Sequence, residues 1–168
     1  MNGLLIREAM EADRQAIHAV ETRAFGRNDE ADLVERIVAN GDEVLELVAV
    51  KSGLIVGHIL FSRLLVETRN RGASAVALAP LAVDPDHQRQ GVGGALIEDG
   101  HRLLRLAGET LSVVLGDPAY YRRFGYSHER AAGFDSDYQG AALQALAWGT
   151  SAPAAGRLVY AAAFAELA

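Results

Sequence analysis

The chain of 168 residues is long enough for one domain with a core of its own, without metal or disulfide staples. It has no cysteine, which excludes disulfides, zinc thiolates and thiol nucleophiles, and its five histidines show no close metal-ligand spacing, so no metal is expected. The formal charge of −6 argues against nucleic-acid binding, and the lack of an apolar run near the roughly 20 residues of a membrane span, or of a basic start at Met1-Asn2-Gly3, points to a soluble cytoplasmic protein.

Gly3 to Arg7 reads as a short first strand, and Glu11 to Phe25 as an amphipathic helix with Ile17, Val20 and Ala24 at helical spacing. After a break at Gly26-Arg27-Asn28-Asp29, Glu30 to Ala39 places Leu33, Val34, Ile37 and Val38 on one helical face, and Asn40-Gly41 supplies a stop. Val44 to Val50, the turn Lys51-Ser52-Gly53 and Leu54 to Val66 predict an antiparallel hairpin. The polar stretch Glu67 to Ser74 turns the chain, with Glu67 to Arg71 as a solvated tip. Ala75 to Val83 is mostly apolar, the pattern of a central strand covered on both faces. In the next helix Leu96, Ile97, Leu103, Leu104 and Ala107 keep a helical period up to Gly108. Leu111 to Leu115 is a strand; Asp117 as N-cap and Pro118 in the first turn then start a short helix through Arg123, ended by Phe124-Gly125-Tyr126. Ala131 to Gly149, rich in alanine, glycine and polar residues, yields no clear element, and Arg157 to Tyr160 has the composition of a final strand.

Where the central strand ends, the chain reads Val83-Asp84-Pro85-Asp86-His87-Gln88-Arg89-Gln90-Gly91-Val92-Gly93-Gly94-Ala95. A helix N-terminus leaves its first amides without intrahelical partners and carries the positive end of the peptide dipole, so a phosphorylated ligand is favoured there. Such a turn serves dinucleotides, nucleotide phosphates or the diphosphate of coenzyme A. A nucleotide phosphate loop needs lysine and then serine or threonine after its last glycine, and here Ala95-Leu96 follow Gly94. A dinucleotide fingerprint opens the first βαβ unit, whereas this turn comes past the midpoint, after a meander of strands. A turn serving helix packing alone would gain nothing evident from Gly91, Gly93 and Gly94, which cost backbone entropy.

On these residues the chain resembles the GCN5-related N-acetyltransferase (GNAT) family, whose signature is Gln or Arg, two variable residues, Gly, one variable residue, then Gly or Ala. Gln88-Arg89-Gln90-Gly91-Val92-Gly93 satisfies it. Leu81-Ala82-Val83, Leu115-Gly116-Asp117-Pro118-Ala119-Tyr120-Tyr121, Phe124-Gly125-Tyr126 and the late Val159-Tyr160 are similar to its YhbS-like branch. The resemblance spans essentially the whole chain, residues 1–168, as a single domain. It implies an α/β (α+β) fold with a mixed, mostly antiparallel central sheet flanked by helices.

The resemblance implies acetyl-CoA as cosubstrate, no metal, and direct transfer of acetyl in a ternary complex to a primary amine of a small molecule, peptide or protein. Gln88 and the amides of Arg89, Gln90, Gly91, Val92, Gly93, Gly94 and Ala95 would then hold the pyrophosphate, and the main chain of Leu81, Ala82 and Val83 the pantetheine arm. A bulge in that strand would aim an amide at the thioester carbonyl; Pro80 has none to give, which leaves Leu81 or Ala82. The family places its proton donor four residues before the glycine of its second motif, and counting back from Gly125 gives Tyr121 as general acid. Tyr120 is the fallback donor or a core residue. The strand Ala75 to Val83 holds no carboxylate, so the general base is Glu21, Asp117 or a water chain, with Glu21 otherwise a solvated helix residue and Asp117 a helix cap. His58 reads as a satisfied polar side chain, His87 as exposed, and Arg122 and Arg123 as a solvated face with coenzyme phosphates as the alternative contact. The competing function is a coenzyme A-binding sensor without turnover, which the missing strand carboxylate allows and Tyr121 opposes. A longer acyl-CoA as donor and a homodimer are both compatible with the sequence.

Overall fold

The structure is a computed structural model that describes residues 3–167, and side chains over 3–165; Met1 and Asn2, part of the segment read as lacking a basic start, lie outside the described residues, as does Ala168. In chain order β1 (Leu4–Glu8) leads into α1 (Arg14–Phe25) and α2 (Asp29–Ala39), then β2 (Glu43–Lys51), β3 (Leu54–Glu67) and β4 (Gly72–Val83) form a meander. Helix α3 (Val92–Leu106) carries the chain to β5 (Leu111–Leu115), followed by α4 (Pro118–Tyr121) with a further turn Arg122–Phe124, α5 (His128–Ala131), β6 (Phe134–Asp135), β7 (Leu143–Ala147), β8 (Gly156–Val159) and a closing turn Ala162–Leu167.

The sheet runs β1-β2-β3-β4-β5-β7, antiparallel except between β4 and β5, the pair that the α3 crossover joins. Strand β8 pairs with the far end of β3, Leu65 to Glu67, and β6 runs parallel to it. This is the mixed, mostly antiparallel sheet that the resemblance implies. Helix α3 covers one face, where Val92, Leu96, Ile97 and Leu104 pack on Leu47, Ile59 and Phe61. Helices α1 and α2 cover the other, with Ile17, Leu33, Val34 and Ile37 on Val48 and Leu60. Burial on both sides is why β4 reads as an unbroken apolar run. Close seating of α3 needs Gly100, where a Cβ would lie 2.7 Å from the Phe61 ring.

Two readings shift. β4 begins at Gly72, so only the short turn between β3 and β4 remains, closed by the Thr68 amide on the Arg71 carbonyl at 2.8 Å. The stretch with no clear element starts at the last residue of α5 and holds β6 and β7, of which β7 pairs with β5 from Leu143↔Leu115 to Ala147↔Leu111. Alanine is a poor strand former, and β7 is held by its partner and by burial of Leu143 and Ala145 rather than by propensity.

What positions the site is a parting of strands. β4 pairs with β5 only over Val76 to Leu78, although both continue. On its other side Leu78 faces Phe61 and Leu81 faces Ile59, so Ala79 and Pro80 add one residue to β4 that β3 does not match. The bulge bends β4 away from β5 and opens a wedge at the middle of the sheet.

Candidate active site

The turn after β4 is fixed from several directions. Asp84 is buried; its carboxylate accepts the Asp86 amide at 2.9 Å and pairs with Arg23 of α1 at 2.5 Å, and its carbonyl accepts the His87 amide at 2.8 Å. The Gln88 side-chain amide donates to the Val83 carbonyl at 3.1 Å, and Gln90 accepts from Lys51 at 3.3 Å. Arg89 at φ 65° and Gly91 at φ 84° then swing the chain into α3.

Ala95 is corrected as a pyrophosphate donor: its amide already donates to the Gly91 carbonyl at 3.0 Å, inside the helix. The orphan amides of the helix start are those of Gly91, Val92, Gly93 and Gly94. These residues border a notch of about 480 Å³ that Leu81 and Val83 bound on the strand side and Tyr120 and Arg123 on the other. A Cβ on Gly93 would stand 2.7 Å from the Tyr120 hydroxyl oxygen and 3.6 Å from Val83 Cγ2, so a side chain there would fill the notch. Orphan amides, a positive helix end and a bare backbone fit a diphosphate. Arg123 adds charge at the mouth, its guanidinium 5.3 Å from the Tyr120 and Phe124 rings. It therefore belongs to the notch rather than to a merely solvated face.

The wedge between β4 and β5 continues the notch into a cleft of about 550 Å³, and Leu81 borders both. Its floor is Ala77 to Leu81; Val113, Leu115, Gly116, Asp117 and Tyr121 form one wall. The opposite wall comes from Phe25, Glu30, Leu33, Tyr138, Tyr160 and Phe164. Ala82 is buried, in register with His58 on the α1 side, and borders neither cleft nor notch.

Tyr121 stands edge-on to Tyr120 and Tyr126, with ring centroids 5.0 and 5.8 Å away, and burial pushes its phenol up to about 12. Gly116 makes room for it: a Cβ there would be 2.6 Å from Tyr121 Cε2. Tyr120 packs half-buried against the core, as read, but its hydroxyl meets Gly93 in the notch, so it is no alternative donor in the cleft. Asp117 borders the cleft and also caps α4, accepting the Ala119 amide at 2.9 Å.

Glu21 departs from both of its readings. It is 0 % exposed and borders neither notch nor cleft. Its carboxylate lies 2.6 Å from His58 Nδ1, His58 Nε2 lies 2.7 Å from Glu46, and Arg14 pairs with Glu46 in turn. Burial alone would lower the imidazole, but hydrogen bonds and charge from both carboxylates outweigh it and hold His58 above its ordinary range. Burial raises Glu21, against the pull of His58; Glu46 is lowered because His58 and Arg14 together outweigh its burial. The group pins α1 to β2 and β3. Its sequence signal was position: Glu21 is four residues after Ile17, on the apolar face of the helix.

Sequence reasoning also missed Glu30, which no motif marks. Arg27 grips it at 2.9 and 2.5 Å and holds its carboxyl below the usual range. Histidine spacing along the chain likewise did not show that His18, Asp32 and Glu35 meet across α1 and α2, their ligand atoms all within 4.8 Å, on a surface away from the cleft. No helix among the described residues is long and apolar enough to cross a membrane.

Residues 5–128 match the family described as acetyltransferase (GNAT) domain. The uncharacterized N-acetyltransferase YjhQ of Escherichia coli K12 is 43% identical over 118 residues, covering 69% of this chain and 65%, under two thirds, of YjhQ. The uncharacterized N-acetyltransferase YhbS of the same strain is 37% identical over 124 residues, 73% of each chain. Among solved structures, a GNAT family acetyltransferase from Brucella melitensis in complex with acetyl-CoA superposes with a TM-score of 0.82 at 34% identity, covering 98% of this chain and 99% of that one. YhbS from Escherichia coli in complex with CoA gives 0.87 at 29% identity, over 96% and 92%.

Proposed function

The chain belongs to the GNAT family of N-acetyltransferases, and on that premise we propose that it moves the acetyl group of acetyl-CoA directly onto a primary amine held in the cleft. The observation that carries this reading is the continuity of notch and cleft along Leu81, with Tyr121 on the cleft wall. Gly91 to Gly94 and Arg123 hold the pyrophosphate, the main chain of Leu81 to Val83 pairs with the pantetheine arm, and the amide of Leu81 or Ala82 polarises the thioester carbonyl. Bulging of β4 at Ala79 and Pro80 supports that last assignment, since it turns the strand edge toward the wedge.

The acceptor arrives as an ammonium and loses one proton through water to Asp117, the carboxylate of the cleft not held by an arginine. Its nitrogen bonds to the carbonyl carbon, the carbon–sulfur bond breaks, and Tyr121 gives its proton to the departing sulfur. A phenol at about 12 is protonated at neutral pH and thus ready to donate. The proton that nitrogen sheds on becoming an amide restores Tyr121, so the step closes without a metal.

The test is acetyl-CoA turnover, read as free thiol, with and without a panel of amines. Acceptor-dependent thiol release and the matching acetylated amine support transfer. Saturable coenzyme A binding with no acceptor-stimulated release would replace the transferase by a sensor.

A further inference from the structure

We propose that the acceptor is a small primary amine with one cationic centre on a compact aromatic or branched apolar body and no carboxylate beside the nitrogen. This rests on reading the cleft as the acceptor site. The wall opposite Tyr121 is a run of rings: Tyr138 and Tyr160 meet edge-on at 5.5 Å, and Tyr160 and Phe164 at 5.5 Å with a 59° tilt. The Tyr160 ring packs with Phe164 on the α2 side of the core, and burial pushes its phenol up to about 12. Tyr138 is 43 % exposed and Phe25 41 %, large apolar surfaces left open at a cleft mouth.

Charge narrows the choice. Among the described residues, the charged ones bordering the cleft are Glu30 and Asp117, with no lysine, arginine or histidine beside them. An acceptor carboxylate would find no unpaired cation at the described lining and would face the Asp117 carboxylate, whereas an ammonium is attracted by Asp117 and by ring faces. Polyamines fit poorly. Glu30 already serves Arg27, so the cleft has one carboxylate to spare, too little for several cationic centres in a wall otherwise made of rings and aliphatic carbon. The aromatic residues Tyr138, Tyr160 and Phe164 lie beyond residue 128, outside the stretch that the family match spans.

The experiment compares 2-phenylethylamine with phenylalanine, which differ by one carboxylate, and with spermidine and an N-terminally free peptide. Turnover is followed with acetyl-CoA, and binding by calorimetry with coenzyme A bound. We expect kcat/KM for 2-phenylethylamine to exceed that for phenylalanine by about 100-fold, and binding to follow the same order whether or not turnover is seen. Tyr138→Ala, at an exposed rim position, should raise KM for 2-phenylethylamine by about 10-fold while leaving acetyl-CoA affinity unchanged. Equal or better use of phenylalanine, spermidine or the peptide, or no binding of 2-phenylethylamine, overturns the inference and leaves acetyl transfer standing if any amine turns over. Ordered amine binding without any turnover would instead remove the transferase reading and keep the ligand class.

Discussion

The notch and the cleft meet at one leucine, yet they are built by opposite means. The notch is nearly one continuous segment, Leu81 to Gly94, joined by Tyr120 and Arg123, and its working parts are main-chain amides and the lack of side chains. The cleft gathers side chains from α1, α2, β4, β5, α4, the loop before β7 and the turn that closes the chain. A site made of backbone needs a fixed local sequence and so leaves a motif. A site made of side chains needs only that distant residues converge, and any of several residue types will serve. The family match, residues 5–128, contains all of the notch and the floor and Tyr121 wall of the cleft, and ends before Tyr138, Tyr160 and Phe164.

Gly93→Asp attacks the notch outright. Aspartate suits the first turn of a helix, so α3 should persist, yet the side chain would collide with the Tyr120 hydroxyl and set a negative charge against phosphate. Calorimetry should find acetyl-CoA binding abolished; ordinary affinity would break the assignment of the notch.

His58→Ala tests whether the cleft depends on the buried charges behind α1. It leaves Glu21 and Glu46 without their shared partner and should cost about 3–5 kcal/mol by chemical denaturation. The pH dependence has a definite sign. His58, raised, stabilises fully below its ordinary value of 6.5 and loses this as pH rises through its folded value. Glu46, lowered, stabilises above its ordinary 4.5 and loses this as pH falls. The gap between wild type and His58→Ala should thus be widest between 4.5 and 6.5. A gap that does not vary with pH would mean that His58 is neutral in the folded protein.

Tyr121→Phe separates chemistry from binding. Loss of the proton donor should lower kcat by about 100-fold with acetyl-CoA affinity kept, and an unchanged kcat in steady-state assays would remove Tyr121 from the mechanism. Arg123→Ala should have the smallest effect, weakening coenzyme A binding by about 5-fold, because its charge is exposed and screened. That difference should shrink as salt is added.

How much was readable follows from the same contrast. The strand, polar turn and glycines from Ala75 to Ala95 announce a diphosphate cradle, and the order of elements announces the sheet, because periodicity and turn chemistry are local. Glu21 shows the limit: a carboxylate on a helix reads as solvated unless one knows that a histidine 37 residues later will be buried against it. Glu30 and Tyr138 were silent for another reason, since nothing near them in sequence differs from an ordinary helix start or loop. β7 escaped because alanine-rich segments become strands only when a neighbouring strand claims them.

Strands that separate midway leave an unfinished seam in the middle of a folded sheet. Beyond Leu78 the rungs of β4 toward β5 stop, and a molecule that laid its own amides along that edge would act as a temporary ninth strand. Melting temperature thereby becomes an occupancy gauge: a ligand at a hundredfold excess over its Kd adds about 2.7 kcal/mol to the folded state. Under the proposed function, the same chain is then a sturdier object in acetyl-CoA-rich surroundings than in depleted ones.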